Sequence, residues 1–419
     1  MRCLPGVSPS PIPAGLVCAL ALGALALAAA APADAQGIPI RRLPEPTDIE
    51  QPRRAPLTVT PWVTIAEEYN DNIFLNNDNR QSDFITTITP GVSVEAAGPT
   101  YRLLGSYSFT SEIFAKESDL SHAFNRHNLA LDALYRVDPR LTLTLTDILT
   151  FDTNTNVVGT DDVATGRDRA FSNALGLGAS WLVDPRTTLR GGFTWTTQQY
   201  DSPDLFDSDV YRVRLGVERA LTPRLTGGLG YEFAFFDLDR QEDVMAHTPR
   251  VGLTYQFTPT LTGSISAGPI FEVPEDSDAR VTPAVTASLS QRTSWGALGI
   301  FFDRTLGTAG GLGGTTVNQT VGGVVEVRTL LRGLTVDFGP RYSTTDSSRG
   351  NAIDVESFTV PLSAIYRVTP WAALIATYQF FHQRSDSVAT AADGTLLAAD
   401  ADQNRVWVGV QVGYPFRWD

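Results

Sequence analysis

The sequence predicts an all-β chain: a transmembrane antiparallel up-and-down β-barrel of about 18 strands (16–18), with short periplasmic turns and long extracellular loops. Three observations predict it. Arg405 to Trp418 alternates strictly, Val406, Val408, Val410, Val412, Tyr414, Phe416 and Trp418 sharing one parity, which is the period of a strand. A small turn motif recurs along the chain at a nearly fixed spacing. Beyond the first thirty-five residues no apolar run approaches the length that a membrane helix needs.

The chain divides into three parts: 1-35, a signal peptide; 36-56, a Pro/Arg-rich periplasmic tether; and 57-419, an outer-membrane β-barrel. Arg2 supplies a weak positive start, Leu16 to Ala31 is an uninterrupted apolar run, and Ala33-Asp34-Ala35 has the small-x-small form of a cleavage site. Both cysteines, Cys3 and Cys18, fall in this segment, so the exported chain relies on backbone ladders and packing rather than disulfides. The tether holds Pro39, Pro44, Pro46, Pro52 and Pro56 with Arg41, Arg42, Arg53 and Arg54 and has no periodicity, which suits an extended spacer.

The turn motif has five copies: Val137-Asp138-Pro139-Arg140-Leu141, Val183-Asp184-Pro185-Arg186, Leu221-Thr222-Pro223-Arg224-Leu225, Phe257-Thr258-Pro259-Thr260-Leu261 and Val368-Thr369-Pro370-Trp371. Proline presets φ for the turn, and the Asp or Thr before it can bond the backbone. The prolines lie 46, 38, 36 and 111 residues apart, and the last gap is three repeats of 37. Gly98-Pro99, Arg292-Thr293-Ser294 and Arg332-Gly333 fill the missing places. Such a period is two long strands, a turn and a loop, so the repeating unit is a hairpin. Loops then centre near residues 75, 119, 161, 204, 242, 277, 311, 350 and 394, and both ends of the barrel lie on the short-turn side. The segments Leu298-Ile300-Phe302 and Val317 to Val327 alternate less cleanly than the rest.

Aromatic residues gather near strand ends, as at Tyr135, Trp181, Tyr255, Trp295, Tyr366 and Trp371, where headgroups meet acyl chains. Gly413, Phe416 and Trp418 resemble the C-terminal insertion signal of bacterial outer-membrane barrels, which barrel-assembly machinery reads. The tail departs from that pattern in ending on Asp419 and in carrying Val412.

The net charge of −14 argues against a nucleic-acid partner. A mean hydropathy near zero fits strands whose lipid-facing and lumen-facing residues cancel. The histidines, His122, His127, His247 and His382, are scattered along the chain with no nucleophile placed beside them, so no enzyme is expected. No cofactor or metal is expected either. The acidic loops, such as Asp161, Asp162 and Asp168 or Glu275, Asp276 and Asp278, lack the spacing of a calcium loop, and the Gly307 to Gly314 run reads as a flexible loop.

If the apolar parity faces lipid, the other parity lines the lumen. It carries Arg102, Glu112, Arg126, Asp132, Arg190, Arg212, Arg214, Glu218, Glu232 and Arg250. Such rows either select ions and solutes or pair across strands to hold the wall.

The first hairpin carries a family likeness. Glu68-Tyr69-Asn70-Asp71-Asn72-Ile73-Phe74, then Ser82-Asp83-Phe84-Ile85 and Pro90-Gly91, resembles the opening of the outer-membrane β-barrel porin 2 family, whose members are linked to exopolysaccharide production and export. The resemblance implies a pore or scaffold in the outer membrane of a Gram-negative bacterium. Its implied partners are outer-membrane lipid and lipopolysaccharide, polysaccharide, and periplasmic export proteins. Within the motif, Asn70, Asp71 and Asn72 are expected either to brace a loop folded into the lumen or to form a hydrogen-bonded strand-end turn. The expected function is passage or export of polysaccharide or other hydrophilic solutes. The alternatives are a general diffusion porin and a non-conducting scaffold for a periplasmic export machine.

Overall fold

The computed structural model describes residues 57–154, 163–349, 352–387 and 398–418. The expected signal peptide and tether lie outside the described residues, as do Asp161, Asp162 and Asp419. The described chain is a succession of strands. They are β1 (Leu57–Asn70), β2 (Asp83–Ala97), β3 (Tyr101–Phe114), β4 (His122–Arg136), β5 (Leu141–Asn154), β6 (Arg167–Asp184) and β7 (Thr187–Tyr200). Next come β8 (Ser208–Ala220), β9 (Leu225–Leu238), β10 (Val244–Gln256), β11 (Leu261–Pro274), β12 (Arg280–Thr293) and β13 (Gly296–Gly307). The last are β14 (Thr316–Val327), β15 (Leu334–Phe338), β16 (Arg341–Ser347), β17 (Asp354–Thr369), β18 (Ala372–Ser385), β19 (Ala401–Gly413) and β20 (Phe416–Trp418).

Neighbouring strands pair antiparallel around a ring. Two pairs of segments lie end to end. β15 and β16 both bridge β14 and β17, and β19 and β20 both flank β1. The twenty segments therefore make eighteen staves. Proline marks each break, Pro340 in the first and Pro415 in the second, because it has no N–H to give the ladder. The ring closes where β1 meets β19, with Tyr69 opposite Val406 and Trp62 opposite Gly413. Closure leaves no sheet edge to unsatisfied lipid. Leu57 lies opposite Trp418, so both ends of the barrel sit on the short-turn side.

The turns follow from their sequences. Val137, Leu221 and Phe257 each donate a backbone N–H to the carbonyl of Leu141, Leu225 and Leu261, at 2.9, 2.9 and 3.0 Å. The residue before proline then caps the bend. Asp138 Oδ1 accepts from the N–H groups of Arg140 and Leu141 at 2.6 and 2.9 Å. Thr222 and Thr258 use their hydroxyl oxygens in the same way. One chemistry, repeated, fixes one end of the barrel.

Parity separates the two faces. Along β19, Val406, Val408, Val410 and Val412 are exposed, whereas Ala401, Gln403, Arg405 and Gln411 are buried. Leu229, Val251 and Ile300, on three other staves, are each about three-fifths exposed (61%, 60% and 61%). Apolar exposure on that scale is stable only against lipid. The buried side chains lie inside the barrel and crowd its loop end. There Val210, Ala234, Phe236, Val244, Ala246 and Ile270 form one packed cluster.

Candidate functional site

The lumen is the candidate site, and its character changes with height. On β7 to β10 the inward parity carries four arginines and two glutamates. Arg190 pairs with Glu218 at 3.0 Å. Glu232 takes both Arg212, at 3.5 Å, and Arg214 in a close contact. Arg250 donates to the Thr286 hydroxyl at 3.2 Å, and Thr286 donates on to Asp303 at 2.9 Å. Side-chain exposure declines from 40% at Glu218, nearest the turns, through 35% at Arg214 to 18% at Arg212. Above them the Arg212 guanidinium lies over the Phe236 ring, at the edge of the apolar cluster. The wall is thus wet and basic near the turns and dry near the loops.

On the adjoining staves, from β19 through β1 to β6, the charges are buried and balanced. Arg405 grips Glu68 with two hydrogen bonds of 2.7 and 3.0 Å. Arg126 contacts Glu112 closely and approaches Asp152 at 3.5 Å. Arg167 reaches Glu112 at 3.6 Å and stacks over Phe114. Three carboxylates face three guanidinium groups, so the cluster is neutral. Buried charges persist only when paired in this way.

The segment Asn70-Asp71-Asn72 stitches the first loop to the last strand. Asn70 Oδ1 accepts from the Asn72 N–H at 3.0 Å, a turn formed by an Asn side chain. Asp71 accepts from the Asn404 backbone N–H and side-chain amide at 2.6 and 2.8 Å. Asn72 donates to the Asp402 carbonyl at 2.8 Å, and its own carbonyl accepts from Gln403 at 2.8 Å. The same loop then drops inward, burying Ile73 and Leu75. Tyr69 belongs to the outer face, packed on Phe84 at 5.1 Å between ring centroids.

Loops from distant staves meet across the lumen. The Gly307–Gly314 run, expected as a flexible loop, is instead packed: Ala309 and Leu312 are buried with Val163, Ile353 and Val355. Gly310, Gly311, Gly313 and Gly314 all have positive φ, between 47 and 84°, a region that glycine enters without steric cost. The run therefore buys compact folding rather than mobility. Gly311 accepts from the Phe206 N–H at 2.8 Å, Thr308 donates to Gln198 at 3.2 Å, and Thr165 donates to the Gly310 carbonyl at 3.3 Å. Gln383 on β18 clasps the backbone of Ala164, accepting from its N–H at 2.7 Å and donating to its carbonyl at 2.9 Å. β6 and β18 are seven staves apart, so this clasp spans the barrel. Among the described residues, contacts between loops cross the lumen at the loop end, while the wall near the turns carries the more exposed charges.

Of the residues expected to line the lumen, Arg190, Arg212, Arg214, Glu218, Glu232 and Arg250 share one wall, and Glu112 and Arg126 join the neutral cluster. Arg102 is exposed near the turns. Phe416 and Trp418 are exposed on β20, their rings 6.3 Å apart, and Gly413 packs close to Trp62. Sequence reasoning missed Glu68, Asp152, Arg167, Gln383 and Arg405. The parity of Glu68 and Arg405, opposite to that of Ile65 and Tyr69 and of Val406 and Val408, was a usable signal.

These features define the class: a closed antiparallel β-barrel of eighteen staves, apolar outside and basic within its turn-side lumen. No family model matches the chain, and no curated protein matches it. The solved structures to which it is similar include three of Pseudomonas aeruginosa proteins. OpdO shares 15% identity, with 86% of this chain and 97% of that one covered and a TM-score of 0.44. OccK11 (OpdR) shares 11%, covering 85% and 96%, TM-score 0.44, and OccK9 (OpdG) shares 14%, covering 85% and 98%, TM-score 0.43.

Proposed function

We propose that the barrel passes hydrophilic solutes across the outer membrane, drawing anionic ones into the turn-side vestibule. The observation that carries this reading is the wall of Arg190, Arg212, Arg214 and Arg250 set against Glu218 and Glu232. A row of fixed positive charge in a low-dielectric passage concentrates anions and repels cations. The loops meeting over the lumen then limit how often a solute crosses. Reversal potentials across planar bilayers under a potassium chloride gradient test the proposal. Anion selectivity that weakens in Arg190→Gln and Arg214→Gln supports it, and cation selectivity contradicts it.

The clasp between Gln383 and Ala164 favours a second reading, a scaffold whose lumen stays shut and which partners a periplasmic export machine. A well-folded sample with no measurable conductance supports that reading over passage. Polysaccharide transit, the narrower function that the family resemblance implies, predicts that added polysaccharide blocks the conductance. Unaltered current in its presence favours general diffusion.

A further inference from the structure

A polar pair lies at mid-height on the lipid-facing wall, farther from the aromatic rows than the outward Glu67–Thr86 pair, which is two residues from Tyr69 and Phe84. Asp147 on β5 and Asn173 on β6 both belong to the outward parity, and the Asn173 Nδ2 donates to Asp147 Oδ1 at 2.6 Å. Asp147 stands in register with Leu131 and Leu175. Four residues towards the turns, Leu143 pairs with Tyr135, and four towards the loops, Phe151 pairs with His127. Each aromatic row is thus about 13 Å away at 3.3 Å per residue, which puts Asp147 at the middle of the belt. Leu129, Leu131, Leu145, Leu149, Leu175 and Leu177 surround the pair on neighbouring outward positions. Both polar residues are half-buried, open to whatever lies against the wall. An ionisable residue at that depth is costly against acyl chains and marks a functional position.

We propose that this patch, centred on Asp147 and Asn173, is the contact surface for a second copy of the same chain. Copies in one membrane share their orientation, so a two-fold axis between them must run along the membrane normal. Such an axis preserves height and exchanges left for right. Asp147 of one copy then faces Asn173 of the other, and the reverse contact forms with it. Each Asn173 amide makes only a long second contact, 3.4 Å to the Ile148 carbonyl, which a facing carboxylate oxygen can replace with a shorter one, and each Asp147 has a second oxygen to accept. Two bonds between copies join the two within copies in a closed ring, the self-complementary contact that a two-fold interface requires. A basic partner of another kind would satisfy Asp147 and offer Asn173 no matching gain. The leucines around the ring supply close packing and exclude water from it.

The mass of the full mature protein, measured by light scattering in mild detergent and in lipid nanodiscs, tests the proposal. A dimer is expected. Asp147→Leu with Asn173→Leu should lower the dimer fraction roughly tenfold or more, as loss of two interchain hydrogen bonds implies. The same variant should keep the heat-dependent electrophoretic mobility of a folded barrel, because leucine suits a lipid-facing strand. A monomeric wild type, a dimer that survives both substitutions, or an assembly with other than two copies overturns the proposal. So does co-purification of a basic partner chain in place of a second copy.

Discussion

Arg405 and Glu68 illustrate how much one pair holds at the barrel seam. Their side chains are 3% and 2% exposed, and they join the last long strand to the first. Removing one partner leaves the other charged and buried. Arg405→Ala should therefore destabilise the barrel by about 3–5 kcal/mol, read as a shift in the urea unfolding midpoint in lipid. Replacing both together, with Glu68→Met and Arg405→Met, should recover most of that loss. The parity of each residue was legible in the sequence, but the partnership was not. The two lie 337 positions apart, and only ring closure sets the register between them.

A second residue-scale effect lies outside the membrane. Glu242, in the loop between β9 and β10, accepts from the Ser277 hydroxyl at 2.6 Å and from the Asp276 N–H. These bonds favour the charged form and hold its pKa below the usual carboxylate value, the Ser277 hydroxyl having the larger effect. A depressed folded pKa stabilises the tie above the ordinary carboxylate range and loses it as pH falls through the folded value. The protection factor of the Asp276 amide, measured against the intrinsic exchange rate at each pH, should accordingly fall in acid. Glu242→Gln should remove that acid dependence, and an unchanged profile in the variant rules the tie out.

At the scale of elements, the turns and the loops behave differently towards sequence reasoning. The Asp/Thr-Pro turns were legible because each bonds its own backbone within four residues. The Gly307–Gly314 loop was misread because what holds it, Tyr200, Leu205, Phe206 and Val163, comes from other hairpins. A Cβ at Gly311 would meet Leu205 and the Tyr200 ring at about 3 Å, at a φ of 81°. Gly311→Val should therefore cost about 1–3 kcal/mol from backbone strain alone, and more from the clash. The expected outcome is a loop withdrawn from the lumen and a conductance above wild type in planar bilayers. Gly314→Ala, with nothing within 4 Å of its added methyl, should change conductance less. The break in the stave of β15 and β16 also escaped the sequence reading, which took it as one strand. Gly339 and Pro340 were its signal.

At the scale of the molecule, alternation and the turn period were enough to place eighteen staves, because a closed barrel must satisfy every backbone group within itself. The state of the lumen was not legible in the same way. Parity states which side chains point inward, and says nothing of how far loops from distant staves reach across them. The central claim is that one parity of every stave meets lipid and the other does not. Single cysteines from Val406 to Val412, in a mature chain expected to have none, allow a direct measurement with a fluorophore and a lipid-soluble quencher. Strong quenching at Val406, Val408, Val410 and Val412, with weak quenching at Trp407, Gly409 and Gln411, is the predicted result; quenching without a two-residue period contradicts the barrel.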